Sequence, residues 1–456
     1  MTTAEHTHSI LPAGMIPVEE ARARILEHFH PLEAEQVPLL DAIGQVLAAD
    51  VVAGFNIPPM ANTSMEGYAV RAADTAGATH ATPRTLRVIG WLPAGQVYEG
   101  AVGPGEAVRI MTGAPMPGGA DAIVPFEETD EEERPRPPVG SAAPPQIAFR
   151  ASGPTDTVRI DVAAALRANV REVGEDVQAG EVVLKRGTLI GVRQVGVVAS
   201  LGLDTVTVHR RPRVAILSTG DELLRPGEPL TPGKIYDANA TGLAAAVREC
   251  GGIPHVLDVA RDTVEAITAR IHEALANCDL LVTSAGVSRG DFDVVKEVLA
   301  REGEIGFWTV NMRPGKPLAF GRFKGANGHA VPHLGLPGNP VSALMTFELF
   351  GRAAIYAMLG NPEGWQRPLI RARTEHRIAS GDGRRFYARV FVRFEGDSYV
   401  VRLTGPQGSG VLTSMSLANG YAICREGGPA IEAGQDCDVI LLDPALAHLP
   451  HKSSHS

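Results

Sequence analysis

The chain has 456 residues, 44% of them hydrophobic, 21% charged and 5% aromatic, with a formal net charge of −10. That length suggests roughly three or four domains, and the apolar share excludes a disordered chain. The acidic balance excludes general nucleic-acid binding, which needs a basic face, though it leaves room for a local pocket that takes a small anion.

With 50 Gly and 34 Pro, the composition points to tight corners and small β-rich modules. Cys250, Cys278, Cys424 and Cys437 are scattered and form no C-x-x-C pair, so neither a structural zinc site nor a disulfide framework is expected. A reducing cytoplasm is the expected home. The start "MTTAEHTHSILPAG" has no apolar run behind a basic start, so no secretory signal is read there. No apolar run approaches the ~18 residues of a membrane span.

In chain order, Ala21, Ile25 and Phe29 share one face of an opening helix. After Pro31, "EQVPLLDA" reads as a strand leading to a short helix and a second strand. "NIPPMANTSMEGYAV" is a turn-rich loop. "TLRVIGWL", "EAVRIMTG" and "DAIVPFEE" are short strands, and Glu127 to Gln146 is an acidic, then proline-rich exposed loop. "GVRQVGVVASLG" is a helix and "TVTVHRRP" a strand. From Pro212 strands alternate with helices: "RVAILSTGDEL", "NATGLAAAVRECG", "IPHVLDVARD", "TVEAITARIHEALA" and "DLLVTSAG". That order implies right-handed crossovers and a mainly parallel sheet. After Trp365, "IRARTEHRI", "FYARVFVRFEGDSYVVRLTG" and "CDVILLD" alternate as small barrel strands do.

In a parallel α/β sheet, ligands bind outside the carboxyl ends of the strands. Two such ends open into small polar loops, "AILSTGDEL" and "LLVTSAGVSRGDFD". In the second, bare backbone before a helix favours a phosphate, and Ser284 and Ser288 add hydroxyls. Asp291 reads as a helix cap; Asp293 is compatible with a ligand role and with ordinary first-turn helix chemistry. Asp221, Glu222 and Asp262 are further carboxylates at strand ends. Mg²⁺ would reconcile them with a phosphate, because that hard cation takes both kinds of oxygen. "NMRPGKPLAFG" sets Arg313 and Lys316 around a compact turn, and "LPGNP" is a corner with Pro340 suited to a helix start. The residues alone point to a metal-assisted reaction on an oxyanion or phosphoester and do not name the substrate.

Together "NTSMEGYAV", "RIMTGAPMPGGADAIV", "REVGEDVQAGE", "RPRVAILSTGDEL", "TSAGVSRGDFDVVK", "RPGKPLAFG", "LPGNPVSA" and "TSMSLANGY" resemble the molybdopterin molybdenumtransferase family, to which MoeA and the E domain of gephyrin belong. The resemblance runs from about Val18 to Asp443. It implies a multidomain α/β plus β fold and an elongated homodimer of four-domain subunits. These would be a two-segment N-terminal domain (1–58 and 171–210), an inserted β domain (59–170), an α/β domain like the molybdopterin adenylyltransferases (211–362) and a C-terminal β-barrel-like domain (363–446), with a disordered tail (447–456).

The implied activity is Mg²⁺-dependent insertion of molybdate into adenylylated molybdopterin, releasing AMP, in the cytoplasm, with a contact to the adenylyltransferase as a further implied partner. By motif matching, Glu222, Asp262 and Asp293 are the implied catalytic and metal-holding acids. Ser284, Gly286, Ser288, Gly338 and Asn339 fall at the substrate loops. Arg313, Lys316, Pro317, Arg389 and Ser414 correspond to the molybdate pocket. Thr112, Arg171 and Asp176 match positions implied to face the partner subunit's site, and Asn62 and Glu66 match implied substrate-binding positions. The chain departs from the family pattern at four places: Ala61 stands where an acidic residue is usual, Glu66 replaces Asp, Ala285 replaces a second glycine, and Arg313 replaces a lysine. Thr309 also stands where a bacterial relative carries lysine. A weakened paralogue acting as a scaffold, and a related nucleotide-handling enzyme, are the alternative readings.

Overall fold

A computed structural model describes residues 14–131, 157–285, 294–325 and 328–443. The expected loop from Glu127 to Gln146 falls mostly outside them, as do Gly286, Ser288, Asp291 and Asp293. Two compact units form: Asp50–Lys185 with Gln194–Asp204, and Met1–Ala49 with Arg186–Arg193 and Thr205–Ser456.

The first of these is built on the predicted short strands. Strands β1 (Gly67–Val70), β2 (Arg84–Leu92), β3 (Glu106–Ile110), β4 (Ala122–Pro125) and β5 (Thr157–Ile160) form one sheet in the order β4-β1-β3-β2-β5. Tyr68, Val70, Val124 and Ile160 pack on one face, and Ala69, Val108, Ile110 and Ile123 on the other. Gly67 is required where β1 meets β4, since a side chain there would collide with the Val124 carbonyl.

The larger unit opens with helix α1 (Val18–Leu26), whose Ala21 and Ile25 are fully buried, with Phe29 just beyond its end. The chain then forms the strand Ala34–Pro38, paired with Thr205–His209. The short helix expected after it is instead a run of turns from Leu39 to Gly44, with Gly44 at positive φ. Leu39 and Ala42 are buried while Leu40 and Ile43 are exposed, and Gly44 at positive φ ends the segment after about one turn, too short to propagate a helix.

The α/β part follows the predicted alternation: β6 (Arg213–Ser218), α2 (Ala238–Glu249), β7 (Ile253–Val256), α3 (Val264–Leu275), β8 (Leu280–Ser284), α4 (Val294–Glu302), β9 (Gly303–Thr309), β10 (Pro317–Lys324) and β11 (Ala330–Leu336). The sheet order is β7-β6-β8-β11-β10-β9. Strands β7, β6, β8 and β11 are parallel, while β10 runs antiparallel to both its neighbours. Val214 and Ile216 face one core, Ala215 and Leu217 the other, which is why β6 reads as unbroken apolar sequence.

The stretch Pro340–Met358 is helical throughout: helix α5 (Pro340–Thr346), a π-turn at Phe347–Gly351 and an α-helical end. Among the described residues it alone is long and apolar enough to cross a membrane, but 83% of its most apolar stretch is buried inside the protein. It is a core helix. The C-terminal part is a closed barrel of β12 (Leu369–Thr374), β13 (Arg385–Glu395), β14 (Ser398–Leu403), β15 (Gly420–Cys424) and β16 (Asp436–Leu441), the ring completed where β13 pairs with β15. Strand β15, which the alternation pattern did not single out, is the closing strand. All four cysteines are buried and free.

Candidate active site at the carboxyl edge of the sheet

Register brings the small polar loops together. Ser218 pairs with Ser284, and Ser284 with Leu336, so the chain leaves all three strands at one edge. Because β10 is antiparallel, it begins where its neighbours end. Ala319 lies opposite Gly335, which carries Lys316 and Pro317 to the same edge. A cavity of about 390 Å³ opens there, lined by Thr219, Glu222, Asp237, Asn239, Ser284, Ala285, Gly338 and Asn339 among others.

Four of the expected site residues, Glu222, Ser284, Gly338 and Asn339, therefore line one space. Asp237 and Asn239, which the motif analysis passed over, line it too. Asp237 caps α2 by accepting the Ala240 N–H at 3.0 Å. An aspartate just before an alanine-rich helix was the available signal. Ala285 sits at φ +104°, a conformation that favours glycine, and its N–H is held by the Leu336 carbonyl at 3.1 Å.

The carboxylates form a repelling group. Gly220, at φ +145°, leaves the room into which the Glu222 carboxylate folds, and an added side chain would collide with it. The loop pairs Thr219 with Ala260, which draws Asp262 alongside. Partial burial raises the Asp262 carboxyl above its ordinary pKa, and the Asp221 and Glu222 charges add to that against a backbone hydrogen bond from Asp221. Among the described residues no three acidic, histidine or cysteine side chains converge tightly enough to hold a metal ion by themselves.

The cationic turn is stitched to the barrel. Residues Met312–Arg313 pair in parallel with Arg385 and Phe386 of β13. Arg313 stacks on the Phe386 ring at 5.2 Å and donates to the Ser380 carbonyl at 2.6 Å. Gly315, at φ +97°, closes over the buried Thr346 hydroxyl, which has no partner among the described residues. Arg389, on β13, is fully buried. Its Nε–H donates to Ser414 Oγ at 2.6 Å, and Nη2 donates to the carbonyls of Pro406 at 3.2 Å and Gly408 at 3.1 Å. Nη1 has no partner among the described residues. Burial, and behind it the Arg313 charge, hold this guanidinium below its ordinary pKa. The loop that wraps it also reaches the start of α5, since the Ser409 carbonyl accepts the Val341 N–H at 3.2 Å.

The remaining expected residues belong to the other unit. Asn62 lies opposite Arg171 and bridges to Pro115, and the Gly113 N–H bonds to the Thr63 carbonyl, so Asn62, Thr112 and Arg171 gather on one surface. The Glu66 carbonyl accepts the Phe126 N–H, and the Asp176 N–H bonds to Ile57 on an adjoining turn. The Thr112, Arg171 and Asp176 side chains are exposed.

Residues 16–202 match the MoeA N-terminal region (domains I and II), 215–357 a probable molybdopterin-binding domain, and 371–442 the MoeA C-terminal region (domain IV). The molybdopterin molybdenumtransferase 2 of Mycobacterium tuberculosis is 37% identical over 431 residues, covering 93% of this chain and 99% of the relative. The chain belongs to the molybdopterin molybdenumtransferase family. Another family member, the molybdopterin molybdenumtransferase of Bacillus subtilis, is 33% identical over 94% of both chains. A crystal structure of the molybdopterin biosynthesis MoeA protein from Pyrococcus horikoshii superimposes with a TM-score of 0.77 at 32% identity, covering 94% of this chain and 99% of that one. Family membership thus accounts for the succession of β, α/β and barrel parts.

Proposed function

We propose that this chain is a molybdopterin molybdenumtransferase of molybdenum cofactor biosynthesis, inserting molybdate into adenylylated molybdopterin with release of AMP. The observation that carries this reading is Arg389: a fully buried guanidinium that no described carboxylate balances, with one nitrogen unpartnered and Arg313 close by. A buried cation of that kind is costly unless a counter-ion completes it. A small oxyanion is the chemistry that would do so, held by Arg389, Arg313 and Lys316 beside Pro317, with Ser414 orienting the Arg389 guanidinium.

The adenylylated pterin would occupy the neighbouring cavity, against Ser284, Gly338 and Asn339, with Gly286 and Ser288 continuing that loop. Asp262, Glu222 and Asp293 would hold Mg²⁺, whose chemistry is to neutralise charge between carboxylate and phosphate. The charge crowding at Asp262 fits such a cation. Mg²⁺ takes one or two carboxylates and leaves its other positions to water and phosphate. Asn62, Glu66, Thr112, Arg171 and Asp176 would complete the site of a second subunit in a homodimer. The division of the chain into four domains, a cytoplasmic location and a contact with the adenylyltransferase belong to the same proposal.

The test is AMP release by the purified chain from adenylylated molybdopterin with Mg²⁺, with and without molybdate, beside Asp293→Ala. Molybdate-dependent release that the substitution abolishes is the expected result. Binding of substrate without release would turn the assignment toward a scaffold role, and restoring an acidic residue at Ala61 would then be tried.

A further inference from the structure

Asn239 sits in the first turn of α2, and its side chain crosses to two other elements. Its Nδ2 amide donates to Ser284 Oγ and to the Gly338 carbonyl, each at 2.6 Å. The carbonyl can only accept, so it fixes which half of the amide faces which way. Asn239 Oδ1 is buried with no partner among the described residues, so the two Nδ2 bonds set the side chain. Both partners line the 390 Å³ cavity.

These bonds decide what the cavity presents to a ligand. Left alone, the Gly338 carbonyl and the Ser284 lone pairs would repel an anion. Asn239 occupies the carbonyl and one lone pair of Ser284. Ser284 as a residue is 2% exposed; its hydroxyl keeps its own proton, and no described residue accepts it. The side chain also ties the end of β8 to the corner before α5, two loops that meet only at the sheet edge.

We propose that Asn239 is a positioning residue that gives this cavity its donor polarity, turning the Ser284 hydroxyl into a hydrogen-bond donor for a phosphate-bearing ligand. The inference rests on the assignment of this cavity to adenylylated molybdopterin. It separates from a merely structural role through the isosteric change Asn239→Asp. A carboxylate keeps the shape of the amide but accepts the Ser284 proton and repels the Gly338 carbonyl. A structural role predicts that Asp serves better than Ala; donor polarity predicts that it serves worse.

The experiment uses the full chain and the variants Asn239→Ala, Asn239→Asp, Ser284→Ala and the double Asn239→Ala/Ser284→Ala. Thermal unfolding confirms folding, and Kd for adenylylated molybdopterin is measured without molybdate. Asn239→Ala should weaken binding about tenfold, Asn239→Asp should weaken it further, and Asn239→Ala should cost much less once Ser284 Oγ is gone. Equal affinities in folded variants, an Asp variant that binds better than the Ala variant, or fully additive losses would each overturn the inference. Molybdate-dependent AMP release is read separately. Its absence in a wild-type chain that shows the coupling would remove the transferase assignment and leave Asn239 its role. Normal release with unchanged affinity in Asn239→Ala would do the reverse.

Discussion

Arg389 Nε donates to Ser414 Oγ at 2.6 Å, and neither side chain reaches solvent. Ser414 Oγ donates in turn to the Val411 carbonyl at 2.6 Å, so the hydroxyl is fully committed and the guanidinium is oriented from one side. Arg389 Nη1 is left without a partner among the described residues.

Arg389→Met fills similar space without the charge. Molybdate-dependent AMP release should fall about 100-fold, the usual scale for losing one buried donor to an oxyanion. The unfolding midpoint should fall only modestly, because relief of an unbalanced buried charge offsets the lost bonds to Ser414 and to the Pro406 and Gly408 carbonyls. Unchanged turnover in a folded variant would show that the oxyanion sits elsewhere.

Asp262→Asn removes one of three mutually repelling acids. The metal-free protein should be no less stable than wild type. Added Mg²⁺, which raises the midpoint of any protein whose folded form binds it, should shift the variant less than the wild type. AMP release should be lost. Calorimetric unfolding with and without Mg²⁺ checks the first two statements, and an equal Mg²⁺ shift would argue against Asp262 as a ligand.

His333 is fully buried, with Nε2 3.0 Å from the Thr283 hydroxyl, and burial pushes its pKa down to about 3. The unfolded value is ~6.5. Between the two, the unfolded chain binds the extra proton, so this contribution is complete above pH ~6.5 and is lost as pH falls toward 3. The slope approaches ~1.4 kcal/mol per pH unit at its steepest. His333→Gln retains a hydrogen-bonding partner for Thr283 without a titrating ring and should flatten that part of the stability profile. Chemical denaturation from pH 7 to 4 measures it; superimposable slopes would rule the effect out.

Ala285→Gly should stabilise the chain. The positive φ of Ala285 is strained for any residue with a side chain, and relieving it outweighs the added freedom of glycine in the unfolded chain by ~0.5–1 kcal/mol. A lower midpoint would mean that the Ala285 methyl contributes packing at the cavity wall that outweighs the strain.

Much of this was legible before any fold was known. The period of Ala21 and Ile25, the apolar run of β6 and the Pro340 helix start each declare their element through neighbours a few residues away. Arg389 shows the limit. Alternation along β13 puts Ala388, Val390 and Val392 in the barrel core and Arg389 on the other face, where a charged residue would ordinarily meet solvent. It is buried because residues 405–410 wrap over it, and nothing local to β13 says so. Strand β10 is a second case: its composition fits either direction, and only its pairing shows that Lys316 enters at the carboxyl edge of the parallel strands.

The sequence by itself determined most of the strands and helices and the small polar loops that follow β6 and β8, though it offered a helix where residues 39–44 are turns and did not mark β15. Those properties depend on backbone preference and on contacts within a turn or two. The tertiary structure alone decided that Asn239 reaches Ser284 and Gly338, that Asp262 shares the field of Asp221 and Glu222, and that Arg389 is sealed beneath a loop. Each depends on sheet register and barrel closure between segments far apart in sequence, where the geometry comes from packing and not from any local pattern.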